Sequence, residues 1–435
     1  MLNKAPASSR GFFEILTMQN HDNKQFLHSE NGLIRRRTWA EIDLEAAKYN
    51  FEQIRNRVGQ HKICCVIKAN AYGHGAVMLG RLYEKCGASF FAVSNIEEAL
   101  QLRLGGIQKP ILILGYSPAE CARIISKNNI SQAVFSEEYA SQLANEARKA
   151  GVNVKIHIKV DTGMGRIGFI SKDEKRTQLE QIINACLQGS LIPEGIFTHF
   201  SSADMANGQE ETERQLDRFL WIIEQLKKRG IGPLICHCAN SAAGLALPES
   251  RLDMVRAGII LYGMPPSDEF EMPISLKPVM RMKSVISHIK EIQKGDTISY
   301  GQTFVAKDNM IVATIPIGYA DGLSRAAGNG NYSICVGGQE AVILGRVCMD
   351  QMMVDVTGIL CHVGDEVEIF GSQPGHTAND LAKRLNTISY EVLCDVGARV
   401  PRFYYEEQKC IACHDTVFSQ DLSCDREKER EGGTE

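Results

Sequence analysis

The sequence predicts an α/β protein, a (β/α)8 TIM-type barrel followed by a mostly-β C-terminal domain, on three observations. Between about residues 60 and 262, eight short runs rich in β-branched and aromatic residues alternate with stretches whose apolar residues recur at i, i+3 and i+4. After about 275 the helical stretches largely disappear, and short β runs follow one another across Gly-containing turns. The length, 435 residues at 44% hydrophobic, accommodates one large barrel and a smaller unit at roughly 150 residues per ordinary domain.

Taken in order, the barrel strands are expected at 63–69, 90–94, 111–114, 132–135, 154–160, 195–200, 234–239 and 254–261. The stretches between them read as helices: 137–150 and 210–229 carry the helical apolar period and stop at Gly151 and Gly230, residues suited to helix C-caps. Eight strand–helix units favour closure into a parallel barrel, with a doubly wound open sheet as the competing architecture. The C-terminal β runs fall at 280–292, 296–300, 310–317, 332–336, 341–348, 352–356 and 366–370, and one helix, 378–385, precedes a last apolar stretch, 390–394. The barrel is therefore assigned to 37–272 and the β-rich domain to 273–405. Residues 1–36 lack sustained periodicity and 406–435 close in a run of charges, so both are expected to be disordered appendages. Within that tail, Cys410-Ile411-Ala412-Cys413-His414 matches a haem-attachment pattern. Attachment needs export and zinc needs two further ligands, so chance explains the match better.

Composition removes several function classes. With 48 Lys+Arg against 52 Asp+Glu the formal charge is −4, which gives no electrostatic reason for a nucleic acid or an anionic membrane as partner. No apolar run approaches ~18 residues, and Glu14 interrupts the short N-terminal apolar stretch, so neither a membrane span nor a secretory signal is expected. The fourteen cysteines lie mostly inside apolar runs and read as reduced thiols of a cytoplasmic protein. Small-molecule chemistry remains.

In a (β/α)8 barrel that chemistry sits at the C-terminal strand ends. Strand one closes with Val66-Ile67-Lys68-Ala69-Asn70-Ala71-Tyr72-Gly73-His74-Gly75. A lysine buried there loses hydration of its charged form and becomes a nucleophile toward an aldehyde. Taken alone it is more often a lysine that snorkels to solvent. The rest of the rim shifts that balance: strand five ends in Lys159-Val160-Asp161-Thr162-Gly163-Met164-Gly165-Arg166, strand six in Thr198-His199-Phe200, strand seven in His237-Cys238-Ala239-Asn240-Ser241, and strand eight carries Arg256-Ala257-Gly258-Ile259. Ser241 at a helix start, with Gly258 and the amide of Ile259, forms a neutral phosphate cradle where such barrels place one.

At these residues the sequence resembles the alanine racemases, fold-type III enzymes dependent on pyridoxal 5′-phosphate, from about Thr38 to Phe403. The stretch around Lys68, Asp161-Thr162-Gly163-Met164-Gly165-Arg166 and Ile317-Gly318-Tyr319-Ala320-Asp321-Gly322 occur together in family order, joined by Tyr300-Gly301, Cys348-Met349-Asp350 and Ser389-Tyr390-Glu391.

The resemblance implies that Lys68 holds the cofactor through a Schiff base and serves as base on one face of Cα, with Tyr300 as base on the other. Racemisation needs both, because a single base would return the proton to the face it left. The resemblance further implies that Arg256 faces the pyridine nitrogen without protonating it, supported by His199, and that Tyr72, Ser241, Gly258, Ile259 and Tyr390 contact the phosphate. Arg166 and the backbone of Met349 would bind the substrate carboxylate, Tyr319 would narrow the entrance, and Lys159 matches a lysine that is carbamylated in several relatives. No metal is expected. A homodimer with composite sites follows, because β-domain residues of this family reach the partner's cavity. Alanine is the expected substrate, in both directions, with D-alanine supplied for peptidoglycan. The competing readings are a serine or broad-specificity racemase and a non-catalytic pyridoxal-phosphate-binding protein. A decarboxylase of the same plan would carry an acidic group where Arg256 stands.

Overall fold

A computed structural model describes residues 28–29, 32–33, 37–173, 177–417 and 420–423. The main body starts with strand β1 (Thr38–Asp43) and helix α1 (Leu44–Val58), where the Asp43 carboxylate accepts from the Ala46 N–H at 2.9 Å and so caps the helix. Eight parallel strands follow: β2 (Lys62–Val66), β3 (Phe90–Val93), β4 (Ile111–Ile113), β5 (Ile130–Val134), β6 (Val154–Asp161), β7 (Leu191–Phe197), β8 (Ile235–His237) and β9 (Met254–Ala257). They neighbour one another in the order β8-β7-β6-β5-β4-β3-β2-β9. The remaining seam, between β8 and β9, is held by Asp253 N–H to Cys236 O at 3.1 Å and Arg256 N–H to Ala239 O at 3.0 Å. The sheet is thereby rolled into the expected barrel rather than left open.

The barrel's helices are amphipathic and lie on its outside. The short turn α2 (Lys68–Tyr72), which lies at the strand ends rather than among the outer helices, and helix α3 (Ile96–Leu104) follow β2 and β3. Helix α4 (Glu137–Ala150) shows why such segments form: Tyr139, Ala140, Leu143, Ala144 and Ala147 share its buried face, Ser136 caps its start and Gly151, at φ +65°, ends it. Helices α5 (Gln209–Lys228) and α6 (Ser241–Ala246) complete the set needed below.

The C-terminal unit comprises β10 (Met280–Val285), β11 (His288–Ile292), β12 (Met310–Ile315), β13 (Ser333–Val336), β14 (Gln339–Leu344), β15 (Met352–Asp355) and β16 (Glu366–Phe370). Helices α7 (Ala378–Leu385) and α8 (Ser389–Cys394) come next, then β17 (Arg402–Glu406) and β18 (Lys409–Asp415). Its strands join one sheet in the order β11-β12-β15-β14-β13-β16-β10-β1-β17-β18.

Two features differ from the sequence expectation. Strand β1, assigned by position to the barrel unit, pairs antiparallel with β10 and parallel with β17, so the chain begins inside the second sheet. The tail expected to be disordered from 406 instead continues into β18, which pairs antiparallel with β17. Cys413 packs with Trp39 and Phe403 in a small cluster there, enough apolar burial to anchor a strand that the downstream charges obscure. A further strand, Gln420–Ser423, pairs antiparallel with β18 and ends the sheet; the expectation for the tail beyond 423, and that for 1–36 apart from the pairing of His28–Ser29 with Gly32–Leu33, fall outside the described residues. Every described cysteine is a free thiol, and no described helix is long and apolar enough to cross a membrane.

Candidate active site

The C-terminal ends of the barrel strands open onto a cavity of about 760 Å³. Lys68 enters it from the start of α2. The next four residues, Ala69 to Tyr72, all have φ between 50° and 54°, a left-handed turn made without glycine. Such a conformation costs roughly 1–2 kcal/mol per residue, so it must be held by its surroundings. The Glu98 carboxylate of α3 accepts from the Ala69 N–H and from the Ser94 N–H, each at 2.7 Å, while Asn70 Oδ1 accepts from the Ala76 N–H at 2.9 Å. Behind the turn, Gly73 lies so close to α8 that a Cβ would fall 2.2 Å from the Leu393 carbonyl oxygen. Burial, then the Arg166 guanidinium, lowers the Lys68 ammonium below the ordinary lysine range, against the opposing pull of Glu98 and Cys394.

One corner of the cavity is a set of neutral donors. Ser241, the first residue of α6, accepts through Oγ from the Gly258 N–H at 3.0 Å, and Asn240 caps the helix through the Ala243 N–H at 3.0 Å. A Cβ at Gly258 would stand 3.0 Å from Tyr72 Oη, so only glycine lets the tyrosine close over the backbone leading to Ile259. Tyr72 packs against Tyr262 and Tyr390, ring centroids 4.8 and 5.9 Å away. Burial raises both Tyr72 and Tyr390, which keeps them protonated donors at neutral pH.

The floor is cationic. Arg256 is 4% exposed; its Nη atoms donate to the carbonyls of Thr198, His237 and Cys238 and to Nδ1 of His199 at 3.2 Å and of His237 at 3.1 Å. Burial pushes it down to about 10, still charged at neutral pH. The same burial, with Arg256 next, holds His199 and His237 well below the usual histidine range, so both are neutral. Lys159, 4% exposed, sits 4.7 Å from the centre of the Phe197 ring, and burial plus Arg256 and Arg166 drive its amine strongly toward the neutral form. Arg166 reaches the cavity from a loop whose shape the Asp161 carboxylate sets by accepting from the N–H groups of Gly163 and Gly165, both at 3.0 Å. An amine freed of its proton, a phosphate-sized group of hydroxyl and amide donors, and a donor-only guanidinium together suit an aldehyde cofactor with a phosphate arm and a ring nitrogen.

The β-domain residues behave differently. Tyr300, Met349 and Tyr319 are 68%, 53% and 44% exposed, and none lines the cavity of its own chain. They are nevertheless brought together: Ser299 Oγ donates to the Arg346 carbonyl at 2.6 Å, and the N–H groups of Tyr319 and Ala320 donate to the carbonyls of Cys348 and Met349, each at 3.1 Å. Buried Asp321 pairs with Arg37 at 2.7 Å and Arg399 at 2.8 Å, and Arg399 also reaches Asp350 at 2.6 Å, pinning these loops to one another.

Sequence reasoning missed three titratable residues of the cavity wall: Glu98, Asp204 and Cys394. Only Glu98 had a signal, the Asn95-Ile96-Glu97-Glu98 spacing of a helix start, and that pattern does not reveal the bond to Ala69.

The comparisons agree on one family. The model of the alanine racemase N-terminal domain matches residues 42–266 and that of the C-terminal domain matches 279–404. The alanine racemase of Desulfovibrio desulfuricans is 46% identical over 373 residues, covering 85% of this chain and 99% of the relative. Alanine racemase 1 of Clostridium acetobutylicum is 42% identical over 386 residues, covering 88% and 99%. Among solved structures, the alanine racemase of Clostridium difficile superposes with a TM-score of 0.83 at 41% identity, covering 88% of this chain and 100% of that one. The Bacillus anthracis alanine racemase with bound L-Ala-P gives 0.83 at 34% identity, covering 88% and 99%.

Proposed function

The chain belongs to the alanine racemase family, and we propose that it interconverts L- and D-alanine with pyridoxal 5′-phosphate in the barrel cavity, supplying D-alanine for peptidoglycan in the cytoplasm. The observation that carries this reading is the convergence of Lys68, Arg256 and the donor corner around Ser241 on one cavity. When bound, pyridoxal phosphate supplies an electron sink for the charge left on Cα as its proton departs.

The chain's own residues do the rest. The hydroxyls of Ser241, Tyr72 and Tyr390 and the backbone at Gly258 and Ile259 would hold the phosphate. The Lys68 amine, its proton loosened by burial and Arg166, would hold the cofactor through its aldehyde carbon and, when free, would take or return the Cα proton on one face. The partner subunit's Tyr300 would exchange the proton on the other face from its phenol oxygen, an arrangement supported by the exposure of Tyr300 and its separation from its own chain's cavity. Arg256 has only donors, so it would bond a ring nitrogen without passing it a proton. Arg166 and the Met349 backbone would receive the substrate carboxylate, and Tyr319 beside Met349 would narrow the approach. The neutral, buried Lys159 amine fits carbamylation, which would place a negative charge beside Arg166.

Serine is the second substrate worth testing, since an apolar pocket rejects one added hydroxyl poorly. The β domain bearing Tyr300 favours an enzyme over a non-catalytic carrier. The test incubates the pyridoxal-phosphate-loaded protein with L-alanine and, separately, L-serine beside a Lys68→Ala control. The reading expects D-alanine to form much faster than D-serine and the control to form neither. Faster D-serine would overturn the substrate, and a yellow protein that racemises neither would overturn the activity.

A further inference from the structure

Below Arg256 the barrel interior holds a chain of polar groups for which the proposed reaction has no use. His237 accepts from Arg256 Nη1 at Nδ1, 3.1 Å away. Its Nε2 lies 2.9 Å from Nδ1 of His157, whose Nε2 lies 3.1 Å from Glu194 Oε2. Both imidazoles are completely buried. Glu194 also accepts from the Ser131 hydroxyl and pairs with Lys155 at 3.3 Å, at the mouth opposite the cavity.

The chain has one possible direction. A guanidinium can only donate, so His237 must accept at Nδ1 and carry its proton at Nε2. That proton points at His157 Nδ1, which must accept, leaving the His157 proton at Nε2 and aimed at Glu194. Burial raises the Glu194 carboxyl, but the bonds from His157 and Ser131 and the charge of Lys155 outweigh it and hold the group below the ordinary carboxylate range, so the far end is an anion. None of Arg256's hydrogen-bond partners is a carboxylate; the carboxylate reached through this chain is Glu194.

The backbone is shaped for this path. Strand β7 shifts register between Pro193 and Gly195 where it pairs with β6, an irregularity of the kind that re-aims a side chain. At Gly195 a Cβ would fall 2.4 Å from the His157 ring, so any larger residue would displace the imidazole. Phe197 stacks on His237 at 5.0 Å and 4°, and Phe90 meets His157 edge-on at 5.7 Å, fixing both ring planes.

We propose that Glu194 is a positioning residue for the cofactor site, acting through His157 and His237 to set the direction of the hydrogen bonds and the counter-charge that hold Arg256 at the cavity. The proposal rests on the assignment of Arg256 to the cofactor's ring nitrogen. No proton travels to the cofactor along this path, because arginine does not give one up; the relay transmits polarisation and orientation.

The test uses the full-length, pyridoxal-phosphate-loaded protein labelled with 15N-histidine, with signals assigned through His157→Asn and His237→Asn. In the unaltered protein both imidazoles should read as neutral Nε2–H tautomers from pH 6 to 8. A proton at Nδ1 of either, or an imidazolium, would overturn the relay. Glu194→Gln keeps size and hydrogen-bonding capacity but removes the charge. It should move the Nε2–H resonances of both His157 and His237 upfield and shift the cofactor's absorbance band. It should also lower kcat by about tenfold at unchanged KM for alanine, the low end of what groups standing one step behind a bound centre cost. Glu194→Asp should restore much of each. A yellow protein in which the change stops at His157, or in which Gln behaves as Glu, overturns the relay alone. A protein that takes up no pyridoxal phosphate fails the underlying functional reading, while its histidine tautomers still report on the relay.

Discussion

The barrel rim and the β-domain loops carry the two halves of the proposed chemistry in opposite states. On the rim, Lys68, Arg256, Ser241 and Tyr72 are drawn onto one cavity by buried strands, and Arg256 and Ser241 are hydrogen-bonded within the same chain. In the β domain, Tyr300, Met349 and Tyr319 are tied to one another through Ser299, Asp321 and Arg399, yet face outward. Under the proposed function, cofactor binding is complete in a single chain. The proposed second base, Tyr300, is an exposed group on its own chain, the position from which it would serve a neighbouring copy. Perturbing the first region should abolish cofactor chemistry, whereas perturbing the second should spare the cofactor and remove turnover.

The largest expected effect comes from Lys68→Ala, which removes nucleophile and base together and should lower racemisation on the order of 10⁴-fold or more, with loss of the protein-linked cofactor absorbance. Tyr300→Phe should lower racemisation by about 10²–10⁴-fold while leaving that absorbance unchanged. A weakened cofactor signal in this variant would break the division between the two regions. Ser241→Ala removes a hydroxyl from the donor corner and the acceptor of the Gly258 N–H. Its expected effect is about tenfold weaker pyridoxal-phosphate affinity by equilibrium titration.

A separate effect concerns stability rather than turnover. His74 is fully buried against Tyr262 at 4.6 Å, and burial pushes it down to about 4, below its value in an unfolded chain. The unfolded state therefore binds the extra proton first. The contribution is complete above about pH 6.5 and is lost as pH falls toward 4, for a total on the order of 3 kcal/mol. His74→Phe should flatten the acid slope of unfolding free energy, measured by denaturant titration between pH 4.5 and 7. An unchanged slope would assign it elsewhere, with His157, His199 and His237 the next groups to test.

The barrel was legible because its strands are short apolar runs, five of the eight closed by polar rim residues, a pattern that needs only local sequence. What escaped depends on distant partners. Strand β1 lies in the span assigned to the barrel and was not read as a strand, and only its pairing with residues 280–284 and 402–405 places it in the second sheet. Lys409–Asp415 sits beside a charge run, and only the packing of Cys413 on Trp39 and Phe403 identifies it as a strand. The left-handed turn at Ala69 to Tyr72 carries no glycine there to announce it; Glu98 and the nearby helix α8 impose it. Of the site, the side chains gathered by one rim were readable, whereas Glu194 was not, because the register shift that turns it inward exists only once β6 and β7 pair.

Subunit complementation tests the central division most directly. Lys68→Ala and Tyr300→Phe chains, each inactive alone, would be mixed, dissociated and reassembled with pyridoxal phosphate, and alanine racemisation measured. If each site joins one chain's Lys68 to the partner subunit's Tyr300, random reassembly leaves one intact site per mixed dimer, and activity should return to about a quarter of the unaltered enzyme's. If both residues serve the same chain, the mixture stays as inactive as its components, and the composite site is wrong.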